Sequence, residues 1–502
     1  MITTTDPRTG VSAATDLEKT SPEEVAAIAA LAASAARDLA SLGREFRAEM
    51  LDAMAVALEG SREQLVSTAE SETGLTAARL NGELSRSAFQ LSLFASAIRE
   101  GSYLEAAIDH AGETPLGPQP DVRRMLVPTG PVAVFGSSNF PFAFSVLGGD
   151  VASALAAGCP VVAKAHGSHP LTSALSYETL LAAARSVGAP EGTIGIVYGQ
   201  EAGTRLVTDP NITAVGFTGS LGAAEALQAA IATRPEPIPF FGELSSINPL
   251  VVTAGAAAAR SAAIAEGLFA SYTGSAGQLC TKPGLAFVPT GAAGDGLVSA
   301  LASLTDDAGA GVLLNSRIRG SFDAIEGRLV EAGARALARG REAEGEGYTV
   351  PPTMLETTAT ELSAELAEEC FGPMIVAVRY DSIDQVVEAI GRVPRSLTAT
   401  VHSEPDEEEL VADLAASLQP FAGRLVFNGY PTGVRVSWAQ HHGGPWPATN
   451  TQHTSVGVTA IRRWLRPVAW QNAPAAVLPA ELRDDDLSIP RRVDGVLVLP
   501  TR

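Results

Sequence analysis

The stretch GSAGQLCTKPGLAF, residues 274–287, decides how the chain is interpreted. Small residues precede Cys280, and they suit a backbone that comes close to a ligand and leaves space beside a reacting atom. The turn-forming residues 281–284 then interrupt the pattern before an apolar segment, 285–288, that is typical of a buried strand. A cysteine whose thiol is accessible at such a turn is a candidate nucleophile.

The other two cysteines have apolar or loop surroundings. Cys159 (AAGCPVV) and Cys370 (EECFGP) are therefore interpreted as small core hydrophobes. An odd number of widely spaced cysteines suits reduced thiols in a reducing compartment. Three scattered cysteines are also too few for a structural zinc site, so no metal is expected.

The composition is that of a folded, acidic protein. The chain has 502 residues, 46% of them hydrophobic, and a formal net charge of -21. This charge argues against nucleic acid or an anionic membrane as a partner. No apolar run reaches the ~18 residues of a membrane span. The first twenty residues lack the order of a secretory signal, so a cytoplasmic location is expected.

The first half of the chain predicts helices followed by a doubly wound sheet. After a mobile start, Ser21, Pro22 and Glu24 predict a capped helix N-terminus, and alanine-rich amphipathic patterns predict packed helices to about Arg99. Residues 117–120 indicate an excursion or a hairpin before 123–127. Strands are predicted at 132–135, 161–163, 194–197 and 214–217, and helices at 142–157, at 170–187, in a short segment before 214 and from 220. Such sheets bind nucleotides at the carboxyl ends of their strands.

A second α/β alternation starts near Glu243. Strands are predicted at 249–253, 285–288, 375–378, 398–401 and 424–427, with helices such as 260–272 and 406–418 between them. The segment 340–348 is predicted to be a surface loop, and the segments 456–460 and 468–470 to be extended. This second unit carries Cys280.

Lysine is used sparingly. Lys19, Lys164 and Lys282 are the only lysines among 35 basic residues, and two of them lie inside motifs. A compact ammonium reaches positions that a planar guanidinium cannot, although chance placement is the alternative.

Five motifs occur in an order that resembles the aldehyde dehydrogenase superfamily. They are SSNFPF (137–142), GFTGS (216–220), FGELSSINP (241–249), GQLCTKPGLAF (277–287) and EECFGP (368–373). The resemblance runs from about residue 20 to about residue 470. Within the superfamily, GQLCTKPGL and the later NGYPTG and HHGGPWPATN resemble most the branch that oxidises alpha-ketoglutaric semialdehyde (2,5-dioxovalerate).

The resemblance implies an α/β fold with a Rossmann-type cofactor domain, an α/β catalytic domain and an oligomerisation arm. The expected boundaries are 1–110 for the N-terminal helical part of the cofactor domain, 111–127 for the arm, 128–242 for the Rossmann-type domain, 243–448 for the catalytic domain, and 449–502 for the returning arm and C-terminal extension. A homodimer or homotetramer is expected from the same resemblance.

The resemblance also implies three catalytic roles. Cys280 attacks the aldehyde, giving a thiohemiacetal and then a thioester, and its thiol needs a base or a field to ionise; Lys282 is one candidate source of that field. The amide of Asn139, with the backbone N–H of Cys280, stabilises the oxyanion. Glu243 activates the water that hydrolyses the thioester, which favours a carboxylic acid over transfer to a thiol such as coenzyme A.

The cofactor is expected at the carboxyl edge of the first sheet. The residues implied are Lys164, His166, Phe217, Gly219, Ser220, Glu369 and Phe371. Ala224 stands where the family usually has a further glycine. NAD-preferring relatives have an acidic residue at the place of Gly167; here a lysine, two histidines and a serine surround that place, which favours NADP, with NAD possible.

The expected substrate is a small semialdehyde that bears a carboxylate. Arg435 is the candidate cation for that carboxylate, with a surface arginine as the alternative, and relatives in this branch often have an acidic residue there. Phe140, Phe142 and Trp438 are candidate pocket walls, with a core position as the alternative.

Three rival functions stay open. The first is an aldehyde dehydrogenase for medium-chain aliphatic or aromatic aldehydes, and the second is a non-catalytic protein on the same fold. The third is a cysteine hydrolase, which is disfavoured because His441 and His442 lie in a Gly/Pro-rich stretch with no evident reason to contact Cys280.

Overall fold

A computed structural model describes residues 1–500 of the chain. Its first helix begins as predicted, because the Ser21 side chain accepts from the Glu24 N–H and the Glu24 side chain accepts from the Ser21 N–H. The α-helices span Pro22–Ser41, Gly43–Gly60, Arg62–Thr73, Ala77–Glu100, Gly149–Ala157, Pro170–Ser186, Gln200–Thr208, Leu221–Ile231, Ala254–Thr273, Ala292–Asp307, Ser316–Glu331, Ile383–Ile390 and Glu408–Leu418.

The first sheet is fully parallel and doubly wound. Its strands, in spatial order, are Phe240–Glu243, Ala214–Thr218, Val132–Phe135, Val161–Lys164 and Ile194–Val197. The chain starts at the central strand, moves outward to one side and returns to fill the other. This order creates a switch point at the carboxyl edge beside the central strand, which is where such sheets bind ligands. Helices cover both faces, so the strands are apolar throughout.

The second sheet has seven strands, of which one edge strand is antiparallel. In spatial order they are Arg335–Arg339, Thr353–Thr358, Met374–Tyr380, Leu285–Pro289, Leu250–Val252, Ser396–His402 and Ala422–Phe427. Apolar clusters fill both of its faces. The predicted strands of both sheets are present, so the α/β fold class is confirmed.

A third sheet, which we call the arm sheet, joins distant parts of the chain. Its strands, in spatial order, are Leu465–Gln471, Val122–Pro128, Ala107–Asp109, Arg491–Val493 and Val496–Val498. Three two-stranded pairs complete the strands: Thr3–Asp6 with Val11–Ala14, Gly112–Thr114 with Gly117–Gln119, and Gly311–Val312 with Thr349–Val350. The predicted hairpin at 117–120 is therefore present.

Two predictions of local structure are wrong, one for the helix at 142–157 and one for the extended segment 456–460. The helix predicted from 142 begins only at Gly149, since the buried Glu83 carboxylate accepts the N–H groups of Phe142 and Ala143 and holds them in a loop. The segment predicted to be extended at 456–460 instead leads into a 3₁₀ helix, Val458–Trp464, which buries the Trp464 ring completely.

The N-terminus is an ordered hairpin instead of the mobile start that was predicted. Thr4 donates to Glu72, and the backbone N–H of Tyr348 donates to Pro7 O, so both faces of the hairpin have partners in the fold.

No single helix within residues 1–500 has the length and apolar character to cross a membrane, and only the pair Pro22–Ser41 and Gly43–Gly60, bent by 114°, passes that test together.

Candidate active site

The candidate site lies where the edges of the two large sheets meet. Glu243 is the last residue of a strand of the parallel sheet, at its carboxyl edge. Cys280 comes a few residues before Leu285–Pro289, at the amino edge of the seven-stranded sheet. The structure therefore brings the nucleophile candidate Cys280 and the base candidate Glu243 together, as the resemblance implied.

A strained turn precedes Cys280. Ser275, Ala276 and Gly277 have positive φ angles of 55°, 53° and 68°. A Cβ on Gly277 would lie 2.1 Å from the carbonyl oxygen of Gly372, so only glycine fits where this turn packs against the EECFGP segment. This contact couples the nucleophile loop to the loop that carries Glu369.

Asn248 fixes the backbone on the other side of Cys280. Its Nδ2 donates to the carbonyl oxygens of Cys280, at 2.8 Å, and Lys282, at 3.0 Å. Its Oδ1 accepts from the Thr398 N–H at 3.2 Å. The Asn248 side chain is fully buried, and it holds the start of the turn 281–284 from inside the protein. Asn248 has no role predicted from the sequence, where its position in FGELSSINP is the only feature that distinguishes it.

The side chains of Cys280, Glu243 and His442 lie close together. Nε2 of His442 lies 3.6 Å from Cys280 Sγ and 2.8 Å from Glu243 Oε1. The Ser455 hydroxyl donates to Glu243 Oε2. Because both carboxylate oxygens accept hydrogen bonds, the buried Glu243 is held in one orientation beside the thiol.

Burial and the neighbouring groups shift the pKa values of Glu243 and Cys280 in opposite directions. Burial alone would raise the pKa of Glu243, but the charge and hydrogen bond of His442, with the hydrogen bond of Ser455, outweigh burial and lower this pKa to about 2. Burial and the adjacent Glu243 carboxylate raise the pKa of the Cys280 thiol well above its usual value. In this arrangement Glu243 is ionised and the thiol is protonated.

Cys280, Glu243 and His442 also have the donor atoms of a metal site. The carboxylate oxygen, the sulfur and the imidazole nitrogen all lie within 4.8 Å of one another. These are ligand types that suit Zn²⁺, although catalytic use of the thiol as a nucleophile needs it free of metal.

His442 corrects the expectation that no histidine contacts Cys280. The Gly/Pro-rich stretch returns to the site because Leu244 N–H donates to Ala448 O and Glu243 pairs with Thr449 as an isolated bridge. The His442 backbone N–H then donates to Thr454 Oγ1. These non-local contacts, which the local sequence pattern does not encode, bring the imidazole to the sulfur.

Asn139 lies beside the nucleophile loop. Its Nδ2 donates to the backbone oxygen of Gln278 at 2.9 Å, and Arg79 donates to its backbone oxygen at 2.7 Å. One amide hydrogen remains for an oxyanion. The backbone N–H of Cys280 has no hydrogen-bond partner among residues 1–500, so the second predicted donor is also available.

Lys282, one candidate source of a field at the Cys280 sulfur, is directed elsewhere. Its Nζ donates to Met374 O at 2.7 Å, and the charge of Glu369 and the thiol of Cys370 lie in its surroundings. Burial raises the pKa of Glu369 to about 7, against the opposing charge of Lys282. The Lys282 ammonium therefore acts on the Glu369 carboxyl, which also accepts the Ser246 N–H. Phe371 is partly buried two residues further on.

The residues predicted to bind the cofactor follow the carboxyl edge of the parallel sheet. Lys164 ends its strand, and a Cβ on Gly203 would lie 3.3 Å from the Lys164 side chain. Gly219 donates its N–H to Glu243 O at 3.0 Å, which connects this edge to the catalytic group. Ser220 is the N-cap of Leu221–Ile231, and its side chain makes no capping hydrogen bond.

The aromatic and histidine neighbours of this edge divide into buried and accessible groups. The Phe217 ring packs between Phe135 and Phe240. His166 is partly exposed, and its Nδ1 accepts the Ser168 N–H. His169 is fully buried and contacts Ser137 O, so it supports the loop and is not one of the groups around Gly167 that could meet a phosphate.

The substrate residues differ in part from expectation. Phe142 is fully buried in the core, so its assignment to the pocket wall is wrong. Its neighbour Phe144 lies instead beside the site, with its ring centroid 6.3 Å from that of His442 and 5.1 Å from that of Phe140. The loop conformation imposed by Glu83 explains this difference, because it turns Phe142 inward.

The other two substrate candidates lie on the segment that leads to His442. Trp438 is 48% exposed. Arg435 is exposed and forms no hydrogen bond or ion pair within the described part of the chain, so its role stays a prediction.

The aldehyde dehydrogenase family model matches residues 1–448. The alpha-ketoglutaric semialdehyde dehydrogenase 2 of Azospirillum brasilense is 43% identical over 89% of this chain and 87% of its own length. The alpha-ketoglutaric semialdehyde dehydrogenase of Acinetobacter baylyi is 41% identical over 90% of this chain and 87% of its own length.

The solved structure of lactaldehyde dehydrogenase from Escherichia coli superposes with a TM-score of 0.82 at 19% identity and covers 94% of this chain and 96% of that one, which shows a shared fold. With the family model and two relatives above 40% identity, the chain belongs to the aldehyde dehydrogenase family.

Proposed function

We propose that this aldehyde dehydrogenase oxidises alpha-ketoglutaric semialdehyde to 2-oxoglutarate with NADP⁺. The observation that carries the proposal is the convergence of Cys280, Glu243 and His442 within 4.8 Å, at the edge of a sheet that suits a dinucleotide. The names of the two relatives above 40% identity support the choice of substrate.

The residues at the carboxyl edge fit a dinucleotide phosphate. Lys164 has no ion-pair partner within residues 1–500, and burial lowers the pKa of its ammonium. A Cβ at Gly167 would meet no atom within 4 Å, so there is room for a ribose 2′-phosphate where a carboxylate would repel it. Lys164, His166 and Ser168 would hold that phosphate. Ser220 and the start of its helix suit the diphosphate, and Glu369 suits the nicotinamide ribose. When bound, the nicotinamide supplies the hydride acceptor.

In the proposed mechanism Cys280 is the nucleophile. Its sulfur bonds to the aldehyde carbon and the thiol proton leaves, giving a thiohemiacetal whose oxyanion is stabilised by Asn139 Nδ2 and the Cys280 N–H. Loss of the hydride from that carbon leaves a thioester on Cys280. Because the thiol is strongly disfavoured as a thiolate in this site, its proton passes to solvent water as the sulfur bonds to the carbonyl carbon, so no free thiolate accumulates.

Glu243 and His442 control the proton transfer that accompanies thioester hydrolysis. Glu243 accepts a proton from the attacking water, whose oxygen bonds to the thioester carbon and releases the thiol and the carboxylate product. The two hydrogen bonds that hold Glu243 make it a weak base, so the bond from His442 must lengthen or break as the carboxylate takes up the proton. His442 is therefore proposed to tune the basicity of Glu243 through this hydrogen bond.

The proposal includes an assembled, cytoplasmic enzyme. The arm sheet ends in the strand Val496–Val498, and Val496 and Leu497 are 65% and 58% exposed. An apolar sheet edge of this kind suits pairing with a second copy, as a homodimer or within a homotetramer.

A substrate panel tests the proposed function. Purified enzyme would be assayed with alpha-ketoglutaric semialdehyde, succinic semialdehyde, pentanal, octanal and benzaldehyde, each with NADP⁺ and with NAD⁺. The highest kcat/KM is expected for alpha-ketoglutaric semialdehyde with NADP⁺. A higher value for octanal or benzaldehyde would favour the alternative, an enzyme for medium-chain aliphatic or aromatic aldehydes. A clear preference for NAD⁺ would refute the cofactor assignment alone.

A further inference from the structure

Arg86 is an uncompensated cation inside the protein. It lies in the middle of the helix Ala77–Glu100, and its Nε and Nη2 are buried without a hydrogen-bond partner in the described chain. A guanidinium whose N–H groups are removed from water without an acceptor is costly. Such a group is expected where a ligand completes its hydrogen bonds.

Arg79, two turns earlier on the same face of the helix, has partners that Arg86 lacks, and only its Nη1 is buried without a hydrogen bond in the described chain. Arg79 donates to Asn139 O at 2.7 Å and lies 3.7 Å from Glu83 Oε2. The other oxygen of Glu83 accepts two backbone N–H groups. Glu83 is thereby committed to Arg79 and to the Phe142 loop, and no carboxylate forms an ion pair with Arg86 in residues 1–500.

Arg86 is directed toward the candidate active site. Its guanidinium carbon lies 5.0 Å from the centroid of Phe144, and that ring lies 6.3 Å from the His442 ring. Burial lowers the pKa of Arg86, while the charges of Glu83 and Glu243 act in the opposite direction. Glu243 and the Cys280 sulfur are therefore its electrostatic neighbours, and the Phe144 ring contacts both Arg86 and the His442 side of the site.

The other arginine near the sulfur is already occupied. Arg424 donates through Nη1 to Gly433 O at 2.7 Å and through Nη2 to Pro431 O. Its two terminal nitrogens thus hold the segment 431–433. Arg435, the candidate chosen from the sequence, is exposed.

We propose that Arg86 binds the carboxylate of the substrate, so that the site selects aldehydes with an anionic group at the far end. This inference rests on the proposed function and specifies its substrate class. In alpha-ketoglutaric semialdehyde the carboxylate carbon is four carbon–carbon bonds from the aldehyde carbon, about 5 Å when extended. A planar guanidinium pairs with a carboxylate through two parallel hydrogen bonds, which also fixes the direction of the chain in the pocket.

The test compares charged and uncharged substrates of equal length in matched variants. Wild type, Arg86→Gln and Arg86→Lys would be assayed with alpha-ketoglutaric semialdehyde, succinic semialdehyde and pentanal. Arg99→Gln is the control, because it removes the same charge from the last turn of the same helix, where Arg99 pairs with Glu45 and Asp52. Binding of 2-oxoglutarate, measured by calorimetry, gives a readout independent of turnover.

For Arg86→Gln, KM for both semialdehydes and Kd for 2-oxoglutarate are expected to rise about 10- to 100-fold, as for loss of a hydrogen-bonded ion pair. The kcat/KM for pentanal should stay within about threefold, Arg86→Lys should be intermediate and Arg99→Gln should match wild type. An equal loss with pentanal, or an unchanged preference for semialdehydes, overturns the inference. If wild type instead oxidises pentanal and no semialdehyde, both this inference and the proposed function fail, which separates the two cases.

Discussion

Replacing Glu243 with glutamine should make the Cys280 thiol more reactive while it stops thioester hydrolysis. In the structure the carboxylate is ionised and lies within 4.8 Å of the sulfur, so its charge opposes formation of the thiolate. At that distance, with an effective dielectric constant of about 20, two unit charges interact by about 3.5 kcal/mol. This energy corresponds to roughly a 300-fold change in the ratio of thiolate to thiol.

Reactivity should change less than the thiolate population. A less basic thiolate is also a weaker nucleophile, with a Brønsted coefficient of about 0.4–0.5, so roughly half of the logarithmic gain is lost. Alkylation of Cys280 by iodoacetamide at pH 7 is therefore expected to be about 20-fold faster in Glu243→Gln than in wild type. Steady-state turnover should nevertheless fall by about 10²- to 10⁴-fold, because general-base catalysis is lost.

The assay follows alkylation of the enzyme without cofactor by peptide mass spectrometry at several pH values. Cys159 and Cys370 are internal controls, since burial raises the pKa of both thiols and both are shielded from solvent. Ser455→Ala is the matched variant, because losing one hydrogen bond leaves Glu243 ionised at pH 7 and should leave alkylation near the wild-type rate. Equal or slower alkylation in Glu243→Gln would refute the electrostatic reasoning.

Three further predictions concern the nucleophile loop and the cofactor. Gly277→Ala should cut kcat at least tenfold, because its Cβ would lie 2.1 Å from Gly372 O, and a wild-type kcat would show that the two loops can separate freely. Asn248→Ala should lower the free energy of unfolding by about 3–5 kcal/mol, since it leaves the buried carbonyls of Cys280 and Lys282 without donors. Urea denaturation measures this free energy, and a loss below about 1 kcal/mol would contradict the prediction. Gly167→Glu should raise KM for NADP⁺ more than tenfold and leave KM for NAD⁺ unchanged or lower, and steady-state kinetics that show no such change would place the 2′-phosphate elsewhere.

The sequence predicted the parts of the site that lie within ordered motifs. Cys280 and Asn139 lie in a turn and a bend close to strands, Glu243 ends a strand, and the edges of the sheets bring these residues together. The alternation of apolar strands and amphipathic helices likewise predicted most strands of both large sheets, but not Phe240–Glu243, Arg335–Arg339 or Thr353–Thr358. Local patterns suffice for strands such as Val132–Phe135 and Leu285–Pro289 because these are buried on both faces.

The remaining parts of the site depend on contacts that local patterns do not contain. His442 is 162 residues from Cys280 in the chain, and it reaches the sulfur only because residues 448 and 449 pair with the end of a strand. Phe142 and Phe144 are indistinguishable by composition, and the buried Glu83 carboxylate decides which of them faces inward. The sequence does not distinguish Arg86 from the other arginines of its helix, because the difference lies in the hydrogen-bond and ion-pair partners that the fold provides.

The mechanism depends most directly on a covalent acyl group at Cys280. Glu243→Gln, mixed with alpha-ketoglutaric semialdehyde and NADP⁺ and examined by intact-protein mass spectrometry, should gain one acyl group in place of the thiol hydrogen. That gain should match the formation of one NADPH per active site, and peptide mapping should locate it at Cys280. NADPH production by Cys280→Ser at a rate similar to wild type, with no adduct in Glu243→Gln, would contradict the mechanism.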